Sequence, residues 1–428
     1  MTHSDEGILP SEADLPGDFG TGHGESTQDG PFIALESRPF LLFWSTIILS
    51  LTGVWVRITA QGWLVYDLTS DEFLLGLVSF CQAAPVLIAS PIAGAILDRV
   101  DRRKVLLAVQ IVVAGAMFIL ATLVATGLVQ VWHIMLIAVV VGTASGFDWP
   151  ARLSMVPALV DARQLQSAVA LNASAFNASR VIGPVLAGVL IATVGVAMCF
   201  YLNVAMYLPF ILVLATISVD RALPKGEVGK SPFQDLLEGY HYIWRTPTIR
   251  ALLSVDIVPL MFGISYFTLA PAIARDVLGL DSRGLGFLLA ANGVGFLIGS
   301  LLVAASSGRR RRGRIVVIGV AVYASLIIVF ALSSNPYLSA ALILFLGLVA
   351  SLYGTMNDTL LQTNIDDAYR GRVLAVYSMF WGLTPIGALE AGLLATNLGV
   401  QTALAINGVI ILIYAPLLWR FSPVKSIP

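Results

Sequence analysis

Six ionisable side chains lie inside long apolar runs of this 428-residue sequence: Arg57, Asp148, Arg180, Asp256, Asp358 and Glu390. A charge in such a run is costly wherever it faces hydrocarbon, so each is expected to turn toward a cavity or a partner. Spacing sorts them. Asp148 stands one turn before Arg152, which suits an ion pair, and both Asp148 and Asp358 fall within about two turns of the ends of their runs. Asp256 is about 9 Å along its run from Arg250. Arg180 sits near the middle of its run, with Asn172 and Asn177 nearby, and a planar guanidinium there suits an anionic or hydroxyl-rich group. Glu390 lies in the last third of its run. A lone carboxylate at that depth suits a proton carrier, whereas pairing with Arg57 would fix its charge instead.

None of these groups forms a catalytic constellation. Cys81 and Cys199 both fall in apolar runs and read as packing residues, and His3 and His23 are too sparse for a metal site. There is no Gly-x-Ser-x-Gly elbow and no Gly-x-x-x-x-Gly-Lys-Ser/Thr run, so an enzyme, a cofactor and an ATP site are not expected.

The elements that must position these residues follow from composition. Hydrophobic residues make up 57%, charged ones 12%, and the mean hydropathy is +0.85, values of a polytopic helical membrane protein. Twelve spans fit, at about 40–66, 73–97, 105–127, 131–150, 165–193, 196–217, 250–274, 284–306, 314–333, 337–360, 371–397 and 400–420. Residues 1–37 are acidic, Gly- and Ser-rich, and read as a disordered tail. Residues 38–217 and 250–420 are two six-helix bundles, and 421–428 is a short tail. Placing both termini in the cytoplasm puts 21 of the 25 Lys and Arg residues on that side, Arg57, Arg180, Arg275 and Arg283 being the exceptions. The linker 218–249 contains a helix start at Ser231-Pro232. Phe233, Leu236, Leu237, Tyr240, Ile243 and Trp244 then recur on one face, as in an amphipathic helix on the inner leaflet that tethers two moving halves.

The halves repeat. Asp71 followed by Gly76 is echoed by Asp281 followed by Gly286, and Gly183-Pro184…Gly188 by Pro385, Gly387 and Gly392, the glycines shifted by about 204. These small residues thin the helix faces for close packing, while Pro184 and Pro385 permit bends; Gly293, Gly295 and Gly299 are read as the surface facing span five. Between spans two and three lies Gly94-Ala-Ile-Leu-Asp98-Arg99-Val-Asp101-Arg102-Arg103-Lys104, a hairpin too short to be anything but a membrane-surface turn. Its acid can cap a helix or hold an arginine across a seam in one conformation and release it in another.

That loop resembles the signature of the major facilitator superfamily, with Gly94, Asp98, Arg99, Arg102 and Arg103 matching and Asp101 standing at the usual glycine. Gly183-Pro184 resembles the span-five signature of its exporters. Gly62-Trp-Leu-Val-Tyr66, Phe147-Asp148-x-Pro150-Ala151-Arg152, Ala274-Arg-Asp-Val-Leu-Gly279 and Arg370-Gly-Arg372-Val look like its enterobactin-exporter and macrolide-efflux branch. The resemblance implies two pseudo-symmetric halves around a midplane site lined by spans one, four, seven and ten, which carry Arg57, Asp148, Asp256 and Asp358. It also implies a monomeric inner-membrane secondary transporter that exports a small amphiphilic compound, a siderophore or a drug, against inward H+ flow. No nucleic-acid partner is expected. Residues 131–147 hold only His133 where multidrug antiporters carry a mid-span cation, so their proton relay does not transfer directly. The alternative is an uptake permease or facilitator; a sensor is disfavoured by the lack of an output domain.

Overall fold

The computed structural model describes residues 30, 32–97, 100–217, 232–305, 312–366, 369–380, 383–421 and 423–426. Residues 1–29 of the acidic tail, Asp98 and Arg99, and residues 218–231 of the linker therefore lie outside the described residues, while Ile33–Glu36, expected within the disordered tail, form a 3-10 turn with Ala34 buried. All regular structure among the described residues is helical.

Six helices form the first half: α1 (Arg38–Thr69), α2 (Glu72–Leu97), α3 (Arg102–Ala125), α4 (Val131–Leu159), α5 (Leu165–Val194) and α6 (Val196–Thr216). Their ends are set by local chemistry. Ser37 caps α1, its hydroxyl accepting from Phe40 N at 3.4 Å and donating to Leu159 O at 2.6 Å, which ties the start of α1 to the end of α4. Asp101 caps α3, Oδ1 accepting from Arg103 N at 3.0 Å. Gly195 (φ +90°) turns α5 into α6, and Gly399, 204 residues on, does the same (φ +84°) in the second half.

The linker contributes α7 (Pro232–Arg245), which starts where its sequence signals it. It docks on the second half: Tyr242 stacks on Tyr369 at 4.5 Å, and Glu238 pairs with Arg372 at 2.9 Å. The seventh span is broken, against the single helix expected over 250–274. α8 (Pro247–Val258) widens into a π turn at Pro259–Gly263, continues as α9 (Ser265–Thr268) and α10 (Ala270–Ala272), and ends in a second π turn at Ile273–Val277. Pro259 and Pro271 cannot donate to the ladder, and Tyr323 Oη satisfies the freed Gly263 carbonyl at 2.9 Å.

α11 (Ser282–Ala304), α12 (Arg312–Ala331) and α13 (Pro336–Asn364) follow, then α14 (Arg370–Phe380) and α15 (Thr384–Leu398) along the span expected over 371–397, with residues 381–382 outside the described ones, and finally α16 (Val400–Phe421). Pro385 at the start of α15 supplies the fixed φ of a helix opening. Eleven stretches among the described residues are long and apolar enough to cross a membrane, and α14 with α15 make the twelfth. Each half packs internally, α1 on α5 and α6, α2 and α3 on α4, α11 and α12 on α13, and α12 on α16. Two seams, α5 on α11 and α2 on α15, join the halves.

Candidate functional site

In the first half, Arg57 of α1 is 3% exposed and its Nη1 donates to Gln82 Oε1 at 3.1 Å and Gln61 Oε1 at 3.4 Å, while its Nε has no partner. Asp148 and Arg152 form the expected ion pair at 2.6 Å. Gln110 Nε2 donates to the carboxylate, and Arg152 Nη2 donates to Ser50 Oγ at 2.9 Å. This pair is neutral and lies within one half. Arg180 of α5 reaches across the seam, Nη2 donating to Asn292 Oδ1 of α11 at 2.8 Å. Its guanidinium lies 4.3 Å from the Phe296 ring and 5.5 Å from the Trp55 ring, and its Nε is also without a partner. Neither Arg57 nor Arg180 meets a carboxylate among the described residues.

The second half carries the opposite sign. Asp256 of α8 is 7% exposed. Its Oδ2 accepts from Tyr377 Oη of α14 at 2.8 Å and from Asn357 Nδ2 of α13 at 2.7 Å. Tyr377 Oη also lies 2.7 Å from Asp358 Oδ1. A phenol carries one proton, so two contacts of this length need a second proton, borne by one of the two carboxyls. The expected proximity of Asp256 to Arg250 does not become a contact: Arg250 lies over the Trp244 ring at 5.3 Å. Asp358, near the end of its run, meets Tyr377 and no cation among the described residues. Glu390 accepts from Asn407 Nδ2 at 3.3 Å, so the alternative pairing with Arg57 is not formed.

The glycines act where the repeat places them. Gly188 of α5 abuts Ser282, Arg283 and Gly286 of α11; Gly392 of α15 abuts Glu72, Phe73 and Gly76 of α2. Since Ser282 and Gly286 are Glu72 and Gly76 shifted by 210, the seams are copies of one contact. Gly183 does not share this face. Five residues from Gly188 it points about 140° away and packs against Thr52, Trp55 and Val56 of α1, directly before Pro184, whose carbonyl borders Gly286. Gly387 lies against the Met261 carbonyl in the first π turn. Of the span-eight glycines, Gly293 faces α5, but Gly295 and Gly299 face Leu344 and Leu348 of α13, correcting the single smooth surface expected.

Both seams close the end of the molecule opposite the Gly94–Lys104 loop. Tyr66 Oη bonds Asp276 and Glu72, the latter at 3.1 Å. Thr396 Oγ1 accepts from Phe73 N at 2.9 Å, and Ser282 Oγ donates to Gly188 O at 3.2 Å. At the loop end, Arg103 caps α6, Nε to Leu214 O at 2.5 Å and Nη2 to Ala215 O at 2.6 Å, and Arg102 Nε reaches Leu97 O at 3.5 Å. These two cations are spent inside their own half. Gly94 lies in the last turn of α2.

Beneath the closed end is a cavity of about 240 Å³ lined by Thr59, Gln61, Ser79 and Gln82 on one side and Phe267, Thr268 and Leu289 on the other. Phe267 also meets Trp55 edge-on at 5.9 Å, Trp55 meets Phe176 at 6.1 Å, and Phe176 meets Trp149 at 5.7 Å. Sequence reasoning did not name Tyr377, Asn292, Gln61, Gln82 or Trp55. Asn357, next to Asp358, and the two glutamines were visible as polar residues in apolar runs; Tyr377 carried no signal.

A cavity between the halves, lined by polar amide and hydroxyl groups on one side and closed at one end by paired glycine seams, suits a carrier. The family model for transmembrane secretion effectors matches residues 29–426. The chain belongs to this family, within the major facilitator superfamily. It is 25% identical over 384 residues to the staphyloferrin A transporter of Staphylococcus aureus, a match covering 86% of this chain and 92% of that one. It is 25% identical over 344 residues to the enterobactin exporter EntS of Escherichia coli, covering 78% and 79%. Among solved structures it resembles a bacterial homologue of the lysosomal transporter Spinster, inward-facing and unoccupied, with a TM-score of 0.71, 12% identity and coverage of 90% and 96%. It is a multi-pass membrane transporter of small molecules, and the branch resemblance read from the sequence holds.

Proposed function

We propose that this protein is a proton-driven exporter of a small amphiphilic compound, a siderophore or a drug, working by alternating access with its loop face and both termini in the cytoplasm. The observation that carries the proton coupling is the Asp256–Tyr377–Asp358 bridge, two carboxyls toward the loop-face ends of their spans that share a phenol and meet no cation among the described residues. Two ionised carboxyls there cost more than a pair that shares one proton, so the cluster takes up and releases a proton as its access to water changes. It spans α8, α13 and α14, so it ties three helices of the second half together. The described state, closed opposite the loop face, is the one open to the cytoplasm, and the charge distribution of the loops supports that orientation. Glu390, the sequence's first candidate for proton carrier, is held by Asn407 alone and is outside the bridge.

The test uses inverted vesicles containing the purified protein, an acid-inside gradient and a pH-sensitive dye. Siderophores and antibiotics are added to wild type, Asp358→Asn and Glu390→Gln. A compound that dissipates the gradient with wild type and Glu390→Gln but not with Asp358→Asn supports the assignment. Labelled substrate exchanging across the bilayer while the gradient stays intact overturns proton coupling, and loss of coupling in Glu390→Gln alone moves the proton site there.

A further inference from the structure

Five buried first-half side-chain donors have no acceptor among the described residues: Arg57 Nε, Trp55 Nε1, Arg180 Nε, Arg152 Nη1 and Asn203 Nδ2. Two belong to guanidinium groups with no carboxylate partner among the described residues, and a buried unpaired cation is among the most costly features a membrane interior can hold. Elsewhere in this half the chain does supply a counter-ion, as Asp148 does for Arg152, but it supplies none to Arg57 or Arg180 among the described residues. The surroundings of Arg180 are flat and aromatic: Phe296 and Trp55 flank the guanidinium, and Phe176, Phe267 and Trp149 extend the ring surface from α5 to α9 and α4. Arg57 stands one side chain behind the cavity wall and acts on it through Gln61 and Gln82.

We infer that the substrate is an organic anion with a planar aromatic face, its anionic oxygens taken by Arg180 and Trp55 Nε1 and its ring laid among Trp55, Phe176 and Phe267. This rests on the transporter reading above and narrows it to one charge class. Arg180 makes one hydrogen bond, to Asn292, leaving guanidinium nitrogens free for an anion, and a charge-assisted bond in a water-poor site is a strong one. Because Asn292 belongs to the other half, a bound anion at Arg180 touches the seam directly.

The test is binding to the full-length protein in nanodiscs, read by tryptophan fluorescence and checked by calorimetry, with three probes of one shape: salicylate, neutral salicylamide and cationic 2-hydroxybenzylamine. Salicylate is expected to bind roughly ten- to a hundredfold tighter than the other two, the size of one lost charged hydrogen bond. Arg180→Gln removes that preference and Arg180→Lys restores part of it. Asn292→Asp is the second variant, since it gives Arg180 a resident carboxylate; because it also removes the amide that donates to Tyr266 Oη and Ile343 O, its folding is checked by thermal unfolding, and the folded protein is expected to lose salicylate binding. Equal binding of the three probes, or salicylate binding unchanged in Asn292→Asp, overturns the assignment. Salicylate binding with no gradient-driven movement leaves the anion site standing and defeats the transport reading; gradient-driven export of cationic drugs with no salicylate binding does the reverse.

Discussion

Gly188→Ala measures whether the glycine seam is what closes the molecule opposite the loop face. A Cβ on Gly188 would stand 2.5 Å from Ser282 O and 3.2 Å from the Cα atoms of Arg283 and Gly286. Ordinary contacts begin near ~3.5 Å, so α5 and α11 must part by roughly 1 Å. Overpacking of this kind costs about 1–3 kcal/mol. Alanine also raises helix propensity by up to about 1 kcal/mol, but α5 is helical whichever way the carrier faces, so that gain cancels between conformations. The overpacking cost falls only on the closed seam and shifts the conformational ratio by about five- to 150-fold. The reporter is Ser79→Cys on the cavity wall, in a background with Cys81 and Cys199 replaced, labelled from the face opposite the loops with a membrane-impermeant maleimide. Gly188→Ala is expected to raise the labelling rate at least about fivefold, the lower end of that shift. Its repeat mate Gly392→Ala does the same. An unchanged or lower rate in correctly folded protein refutes the seam as the closing contact.

Two further outcomes follow from the buried polar groups. Asp148→Asn leaves Arg152, 3% exposed, without its carboxylate, and is expected to lower stability by about 3–5 kcal/mol in thermal unfolding; Asp148→Asn with Arg152→Met recovers most of it. Tyr377→Phe removes both bridging contacts, each worth about 1.5–3 kcal/mol, and is expected to abolish gradient-driven transport in vesicles while salicylate affinity changes less than about threefold.

What was legible in the sequence is what a local requirement forces on one residue. A glycine at 188, 286, 76 or 392 is demanded by backbone approaching backbone, and duplication of the halves writes the demand twice, so the repeat marked these glycines, though not which of them meet. The Asp148–Arg152 pair was legible because i,i+4 geometry is fixed within one helix. Partner choice across helices was not. Gly295 and Gly299 signalled close approach correctly but not that the neighbour is α13, and Asp256 and Asp358, 102 positions apart, meet only through Tyr377 of a third element. The break in the seventh span was hidden for a related reason: Pro259 in an apolar run is compatible with a kinked helix, and the π turn depends on Tyr323 of α12 to satisfy Gly263. Arg57 and Glu390 looked like a pair by depth alone, yet depth carries no azimuth, and each instead bonds amide groups.

Taken with the two sites proposed above, the placement of charge bears on the kind of coupling this carrier would use. The first half keeps Arg57 and Arg180 without counter-ions, while the second keeps Asp256, Asp358 and Glu390 without a cation among the described residues. A cation exporter makes proton and substrate compete for one carboxylate, so that each displaces the other. An anion on Arg180 and a proton on the Tyr377 bridge cannot compete in that way, because they occupy separate walls and attract one another. Exchange must then be enforced by conformation, with the anion touching the α5–α11 seam through Asn292 and the proton touching the α8–α13–α14 bridge, so that each ligand acts on the contacts its own departure requires. The energetics suit export. A proton moving inward and a monoanion moving outward carry charge in the same direction, so an inside-negative potential contributes about 2.3 kcal/mol per charge per 100 mV, or about 4.6 kcal/mol for the pair. An anion exporter built this way draws on voltage as well as on the proton gradient, which is the physical advantage of keeping the two sites apart.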